Sequence, residues 1–258
     1  MGRIIAIANQ KGGVGKTTTV INLSAALAEA GKKILTVDMD PQGNASSGLG
    51  IDKARLDKTV YQLMIGECSL QDCLHKSAVK NLTVVPATVH LAGAEVELIG
   101  TPDSQRILKN ALEPVRQDYD FILIDCPPSL NLLTINAMVA ADSVMVPIQC
   151  EYYALEGLSQ LMYTIGLVQR SLNPALKIDG VVFTMFDVRT NLSAEVVENV
   201  KQNFRQHIYR SVIPRNVRLA EAPSHGLPIT MYDSRSTGAE SYRKLAKEVM
   251  QNRIEGIG

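Results

Sequence analysis

Residues 4–8 form an unbroken apolar run, the length of a buried strand. Further on, Val20, Ile21, Leu23, Ala26, Leu27 and Ala30 recur with helical spacing, and Gly31 stands where a C-cap glycine belongs. The same alternation continues along the chain. Apolar runs predict strands at residues 33–38, 82–86, 119–126, 143–148, 180–185 and 211–214. Helical patterns fall at 60–66, 95–99, 107–115, 151–171 and 193–206, with Ser193 placed as an N-cap. A last helix at 238–254 has Ala239, Tyr242, Leu245, Ala246, Val249 and Met250 on one face. Strands alternating with helices predict a mostly parallel, twisted sheet with helices on both faces. With no internal repeat, low-complexity tract or linker, one α/β domain over residues 1–258 is expected.

Composition narrows the class but does not choose within it. Hydrophobic residues are 46% and charged residues 20%, ordinary for a globular protein, and the net charge is zero. No basic-then-apolar leader opens the chain, and no apolar run approaches the ~20 residues of a membrane span. A cytoplasmic location is therefore expected. Cys68, Cys73, Cys126 and Cys150 form no C-x-x-C pair, so reduced, mostly buried thiols are expected rather than a zinc site or disulfide framework. The four histidines show no metal spacing. Charge is unevenly spread: residues 187–258 hold 11 Lys and Arg against 8 Asp and Glu, so the C-terminal part is mildly basic.

Candidate chemistry concentrates in residues 9–19, Asn-Gln-Lys-Gly-Gly-Val-Gly-Lys-Thr-Thr-Thr, between the first strand and the first helix. Strand, glycine loop and helix together are the context of a phosphate-binding loop. Gly12, Gly13 and Gly15 leave the backbone N–H groups open to a phosphate, and the helix beginning near Lys16 aims its positive end at the same anion. Lys16 supplies a point charge for the β- and γ-phosphates, and the Thr17 hydroxyl is placed to ligate Mg²⁺. The usual pattern, G-x-x-x-x-G-K-[ST], would have glycine at position 10. Gln10 stands there instead, followed by a second lysine, Lys11. Downstream, the strand ending at Asp38 runs into Met39-Asp40-Pro41, and Asp125 stands at the tip of another, so Asp40 and Asp125 fall at the sheet edge where ligands bind. No N-K-x-D guanine-reading motif is present, which favours ATP over GTP.

The two-lysine loop K-G-G-V-G-K-T resembles that of the ParA/MinD class of P-loop ATPases. The blocks NQKGGVGKTTT, VDMDPQGNASSGLG, DCPPSL, PIQCEYYALEGL and VIPRNVRLAEAPS, in that order, are similar to the chromosomal Soj branch of ParA ATPases, which partition bacterial DNA. The resemblance implies a P-loop NTPase fold and an ATP hydrolase using ATP and Mg²⁺. It implies that Lys11, Gly12, Gly13, Val14, Gly15, Lys16, Thr17 and Thr18 bind the phosphates. Lys11 would act across an ATP-dependent homodimer, and Lys11, Lys16 and Asp40 would serve hydrolysis. Thr17, and Asp125 through water, would hold Mg²⁺, and Pro214 and Asn216 would contact adenine. Arg189 and Arg218 match DNA-contacting positions, with Arg205, Arg210 and Arg215 nearby in sequence. Longer plasmid relatives carry an N-terminal helix-turn-helix domain; without one, non-specific contact with double-stranded DNA on the nucleoid is expected. Implied partners are a ParB-type centromere-binding protein and the replication initiator DnaA. Three alternatives stand beside this reading: a MinD-like membrane-associated ATPase, a cargo-positioning ParA relative, and a metabolic or redox relative. The MinD-like reading is disfavoured because the segment 252–258 is short and weakly basic for an amphipathic anchor. The redox one is disfavoured because no cysteine pair is evident.

Overall fold

The computed structural model describes residues 2–151, 154–204 and 206–252. Eight strands form one sheet: β1 (Arg3–Ile7), β2 (Ile34–Asp38), β3 (His75–Lys76), β4 (Leu82–Val85), β5 (Phe121–Asp125), β6 (Ser143–Gln149), β7 (Lys177–Phe186) and β8 (Ile208–Pro214). Their order is β3-β4-β2-β5-β1-β6-β7-β8, and every pairing is parallel except β3 with β4. The central strands read as continuous apolar runs because both faces of the sheet are covered.

Side chains of β1 alternate between the two faces. Ile4 and Ala6, with Ala8 just beyond the strand, join a core with helices α3 (Val60–Met64), α4 (Leu91–Glu97), α5 (Ile107–Leu112), α6 (Leu132–Ala140), α7 (Ala154–Ser171) and α8 (Asn191–Asn203). Ile5 and Ile7 join a second core with α1 (Lys16–Glu29), α2 (Asn44–Gly48), α9 (Val217–Glu221), α10 (Ile229–Tyr232) and α11 (Thr237–Gln251). The two-sided α/β sandwich thus follows from the strand pattern. Arg3 closes it at the start of β1: it pairs with buried Asp179 of β7 and donates to the carbonyls of Val249 (3.0 Å) and Asn252 (2.9 Å) at the end of α11. The arginine thereby ties the end of the helix to the sheet.

Several boundaries depart from the sequence expectation. The helix expected at 95–99 begins earlier, at Leu91, because Leu91 and Ala94 supply its buried face while Ile99 lies exposed beyond its end. The stretch 107–115 is helical only to Leu112, where Pro114 turns it into a tighter 3-10 segment. Helix α8 starts at Asn191 after Thr190, which puts Ser193 inside the first turn rather than at the N-cap. The turn expected around Gly48 is the short helix α2. Helix α6 and the two-residue antiparallel β3 were not foreseen. Ser236 caps α11, its hydroxyl accepting the Ala239 N–H at 3.2 Å. That helix ends at Gln251, with Asn252 extended, short of the expected 254, and Glu151, where α7 was expected to begin, is not helical; residues 152–153, Arg205 and 253–258 lie outside the described residues.

Candidate functional site

Three neighbouring strands end at one edge of the sheet. Ile7 and Asp38 are each paired with Asp125, so the glycine loop, the Asp38–Asp40 turn and Asp125 meet there. The loop between β1 and α1 takes its shape from Gly13 (φ +75°) and Gly15 (φ +85°), both in the left-handed region that side chains resist. A Cβ added at Gly12 or Gly13 would meet nothing within 4 Å, so the space above the loop is open. Helix α1 then begins at Lys16 with its first N–H groups directed toward that space.

Distant residues brace the loop. Asn9 donates to the Pro147 carbonyl (2.8 Å) and accepts the Lys11 N–H (3.0 Å). Gln10 donates to the Thr164 hydroxyl of α7 at 2.9 Å. Thr184, near the end of β7, donates its hydroxyl proton to the Val14 carbonyl at 2.8 Å. Its methyl side stands 3.5 Å from where a Gly15 Cβ would be. The Lys11 ammonium donates to Glu151 of its own chain at 2.8 Å. Thr184, Thr164 and Glu151 were not foreseen as site residues, since each is more than 130 positions from the loop.

Lys16 is 6% exposed and its ammonium donates to the Lys11 carbonyl at 3.1 Å. Burial draws its pKa down, while Asp125, Cys126 and Asp40 favour the charge. Asp125 is fully buried, and no hydrogen bond of ordinary geometry completes either carboxylate oxygen. Burial, then the charge of Asp38, raises its pKa well above the carboxylate range; the Thr17 hydroxyl and Lys16 pull the other way. A buried, partnerless carboxylate is costly unless a cation or ordered water completes it. The residues therefore fit a hydrated Mg²⁺, with Thr17 and Asp125 as its protein contacts.

Asp38, not singled out from sequence, organises the neighbouring turn. Its oxygens accept the Asp40 N–H (3.1 Å), the Ser46 N–H (2.8 Å) and the Ser46 hydroxyl (2.7 Å). Burial nevertheless pushes its pKa up to about 6. Asp40 is 9% exposed, and its side chain accepts the Gln42 N–H at 2.9 Å. The readable signal was a second aspartate two positions before Asp40 at a strand tip.

Beside the loop lies a cavity of about 370 Å³, lined by Gly15, Thr18, Thr184, Pro214, Asn216 and Tyr242 among others. Its apolar walls suit a flat heteroaromatic base. Asn216 is committed to the wall itself: its Oδ1 accepts the Arg218 N–H (2.8 Å), and its amide donates to the Thr237 hydroxyl (2.8 Å). Tyr242, from α11, was assigned to the core by its spacing and also borders this cavity.

The two predicted basic residues stand beyond the ends of adjacent strands. Phe186 of β7 pairs with Pro214 of β8, and the Arg215 N–H donates to the Phe186 carbonyl at 2.9 Å. Arg189, its side chain 80% exposed, is held by Asp187 through contacts of 2.9 and 2.7 Å. That pair holds the Asp187 carboxyl well below its usual range. Arg218, 56% exposed, pairs with Glu221 at 2.9 Å.

Comparison with known proteins agrees with this geometry. A family model described as an AAA domain matches residues 2–178. The sporulation initiation inhibitor protein Soj of Bacillus subtilis is 61% identical over 252 residues, covering 98% of this chain and all of that protein. The chromosome partitioning protein ParA of Myxococcus xanthus is 55% identical, over 97% of this chain and 89% of that one. The chain belongs to the ParA/Soj family of chromosome-partitioning ATPases. Among solved structures, cobyrinic acid a,c-diamide synthase from Mycobacterium smegmatis, with bound ATP analog and magnesium, superposes with a TM-score of 0.86. It is 37% identical, over 97% of this chain and 95% of that one. In this ParA/Soj chain, as the sequence implied, the sheet is mostly parallel and covered on both faces.

Proposed function

We propose that this chain is an ATP-gated, DNA-binding switch that hydrolyses ATP to ADP and phosphate and acts in chromosome or plasmid partitioning. The observation that carries it is Asp125, a buried carboxylate lacking partners beside buried Lys16 and an open glycine loop. On this reading Gly12 to Thr18 receive the phosphates, while Pro214 and Asn216 form part of the wall around the base. Thr17 and Asp125 hold the Mg²⁺ shell. Bound there, Mg²⁺ neutralises charge on the β- and γ-phosphate oxygens.

The chain's own groups supply the rest. Lys16, desolvated and fixed on the Lys11 carbonyl, offers positive charge with little reorganisation. Asp40, held by the Gln42 N–H, orients the attacking water; phosphoryl transfer needs positioning more than a strong base. Lys11 completes the nucleotide site of a second copy. Its pair with Glu151 joins side chains 39% and 47% exposed, a class worth about 0–1 kcal/mol, so the partner's nucleotide readily competes for it. Dimerisation is thereby linked to ATP, and hydrolysis weakens the dimer.

Arg189 and Arg218 serve phosphate contacts with duplex DNA, without base reading. Two copies double those contacts and bind far more tightly than one. Nucleoid association and work with a ParB-type protein, and with DnaA, belong to this reading by family resemblance. No helix among the described residues is long and apolar enough to cross a membrane. A MinD-like peripheral attachment predicts ATP-dependent co-sedimentation with liposomes, which this reading does not. A cargo-positioning role uses the same chemistry and is separated from it by gene neighbourhood.

Gel filtration and DNA retention of wild type and Asp40→Ala, each with and without ATP, test the proposal. The variant is expected to bind ATP, persist as a dimer and retain DNA, while wild type releases it with turnover. A chain that stays monomeric with unhydrolysed ATP, or binds DNA equally without it, overturns the proposal.

A further inference from the structure

The sulfurs of Cys68 and Cys73 lie 3.3 Å apart, at a five-residue spacing that C-x-x-C reasoning passes over. The chain between them is a closed turn. Asp72 accepts the Ser69 N–H (2.9 Å) and hydroxyl (2.6 Å), the Cys73 N–H donates to the Leu70 carbonyl (3.0 Å), and Leu70 is buried. These contacts close the turn and bring the two sulfurs side by side. The two differ in access. Cys73 is fully buried and donates its proton to the Thr59 carbonyl at 3.2 Å, at the start of α3. Cys68 is half-buried, within reach of a small solute. Cys126 and Cys150 are buried, and neither lies within bonding distance of another sulfur.

We propose that Cys68 and Cys73 form a reversible oxidation site, which a hydroperoxide converts to a disulfide. The Cys68 thiolate attacks one peroxide oxygen; an S–O bond forms, the O–O bond breaks and hydroxide leaves, giving a sulfenic acid. The Cys73 sulfur then attacks the Cys68 sulfur; the S–S bond forms, the S–O bond breaks, and the departing hydroxide takes the Cys73 proton. In sum two thiols lose two electrons and two protons, and hydrogen peroxide becomes two waters. Burial raises the Cys73 pKa, which suits a resolving thiol that surrenders its proton only as the bond forms and leaves Cys68 as the point of entry. Closure requires the sulfurs to approach by roughly 1.3 Å, within the play of two side chains on a turn already made. A low-molecular-weight dithiol reverses it by exchange.

Mass spectrometry after peroxide treatment tests this. The native chain is exposed to hydrogen peroxide, unfolded, alkylated and digested with trypsin, which leaves both cysteines in the peptide 59–76. That peptide is expected without alkyl groups and lighter by two hydrogens, with Cys126 and Cys150 still alkylated and dithiothreitol restoring both thiols. In Cys68→Ser, Cys73 is expected to stay alkylatable throughout. A doubly alkylated 59–76 peptide overturns the proposal. So does Cys68 trapped as sulfinic acid with Cys73 free, or a disulfide forming equally fast in chain unfolded by urea before oxidation.

Discussion

Thr184 shows how one side chain can govern a loop made elsewhere. Its hydroxyl satisfies the Val14 carbonyl, and its methyl faces Gly15, so it holds the peptide where the loop turns left-handed. Thr184→Val keeps the shape and removes the donor, leaving a buried carbonyl without a partner at a cost of about 1–3 kcal/mol. If about half of that appears in nucleotide binding, the ADP dissociation constant rises roughly two- to tenfold. Calorimetric titration with Mg-ADP measures it, and Thr184→Ser, which restores the hydroxyl, is expected to recover wild-type binding. Among the charged residues, the positions of Lys16, Asp40 and Asp125 were legible because Lys16 opens the helix after the glycine loop and the two aspartates sit in short motifs at strand ends. Asp38 was read only as the end of a strand; its hydrogen bonds to Asp40 and Ser46 depend on the local turn.

At the scale of elements, the parallel pairing of β7 with β8 gathers the basic loops. Arg189 and Arg218, 29 positions apart, follow strands joined at Phe186 and Pro214. Both arginines are engaged by carboxylates of their own segments, so in the proposed complex DNA phosphates would compete with Asp187 and Glu221. Arg189→Glu is expected to weaken binding evenly across sequences and to reduce the salt slope by roughly 1 per lost contact. Asp187→Asn, which removes the competing charge, is expected to strengthen binding at low salt. Fluorescence anisotropy across a salt series with two unrelated duplexes reads both outcomes. Strands were the most legible elements, since β1, β2 and β5 are each a short apolar run. Helix α6 escaped because Pro127-Pro128 and a short polar turn obscure its start, which Asn131 caps by accepting the Thr134 N–H at 3.1 Å. The pattern around 95–99 was misplaced because exposed Val96 and Ile99 mimic a buried stripe.

For the whole molecule, the proposed cycle makes Lys11 the residue that separates binding from assembly. Within one chain its side chain is engaged by Glu151, whereas its backbone carbonyl supports Lys16. Lys11→Ala preserves that carbonyl. The variant is therefore expected to keep nucleotide affinity near wild type yet remain monomeric with ATP. Equilibrium titration with a fluorescent ATP analogue, alongside analytical ultracentrifugation, separates the two effects. Dimerisation by Lys11→Ala at wild-type strength would remove the proposed role of this lysine between subunits.

Local patterns alone determined the alternation of strands and helices, the glycine loop with its two lysines, and the carboxylates at strand tips. Each of those is written in a few consecutive residues, and strand and helix periods are short-range properties of the chain. Only the tertiary structure decided which distant groups complete the loop: Thr184, Thr164 and Glu151 reach it because β6 lies beside β1 in the sheet, β7 lies beside β6, and α7 packs against the same core. It also decided that Asp125 is buried beside Asp38 without a partner, and that Cys68 touches Cys73. Burial and proximity arise from packing between segments far apart in sequence, and no local period encodes them.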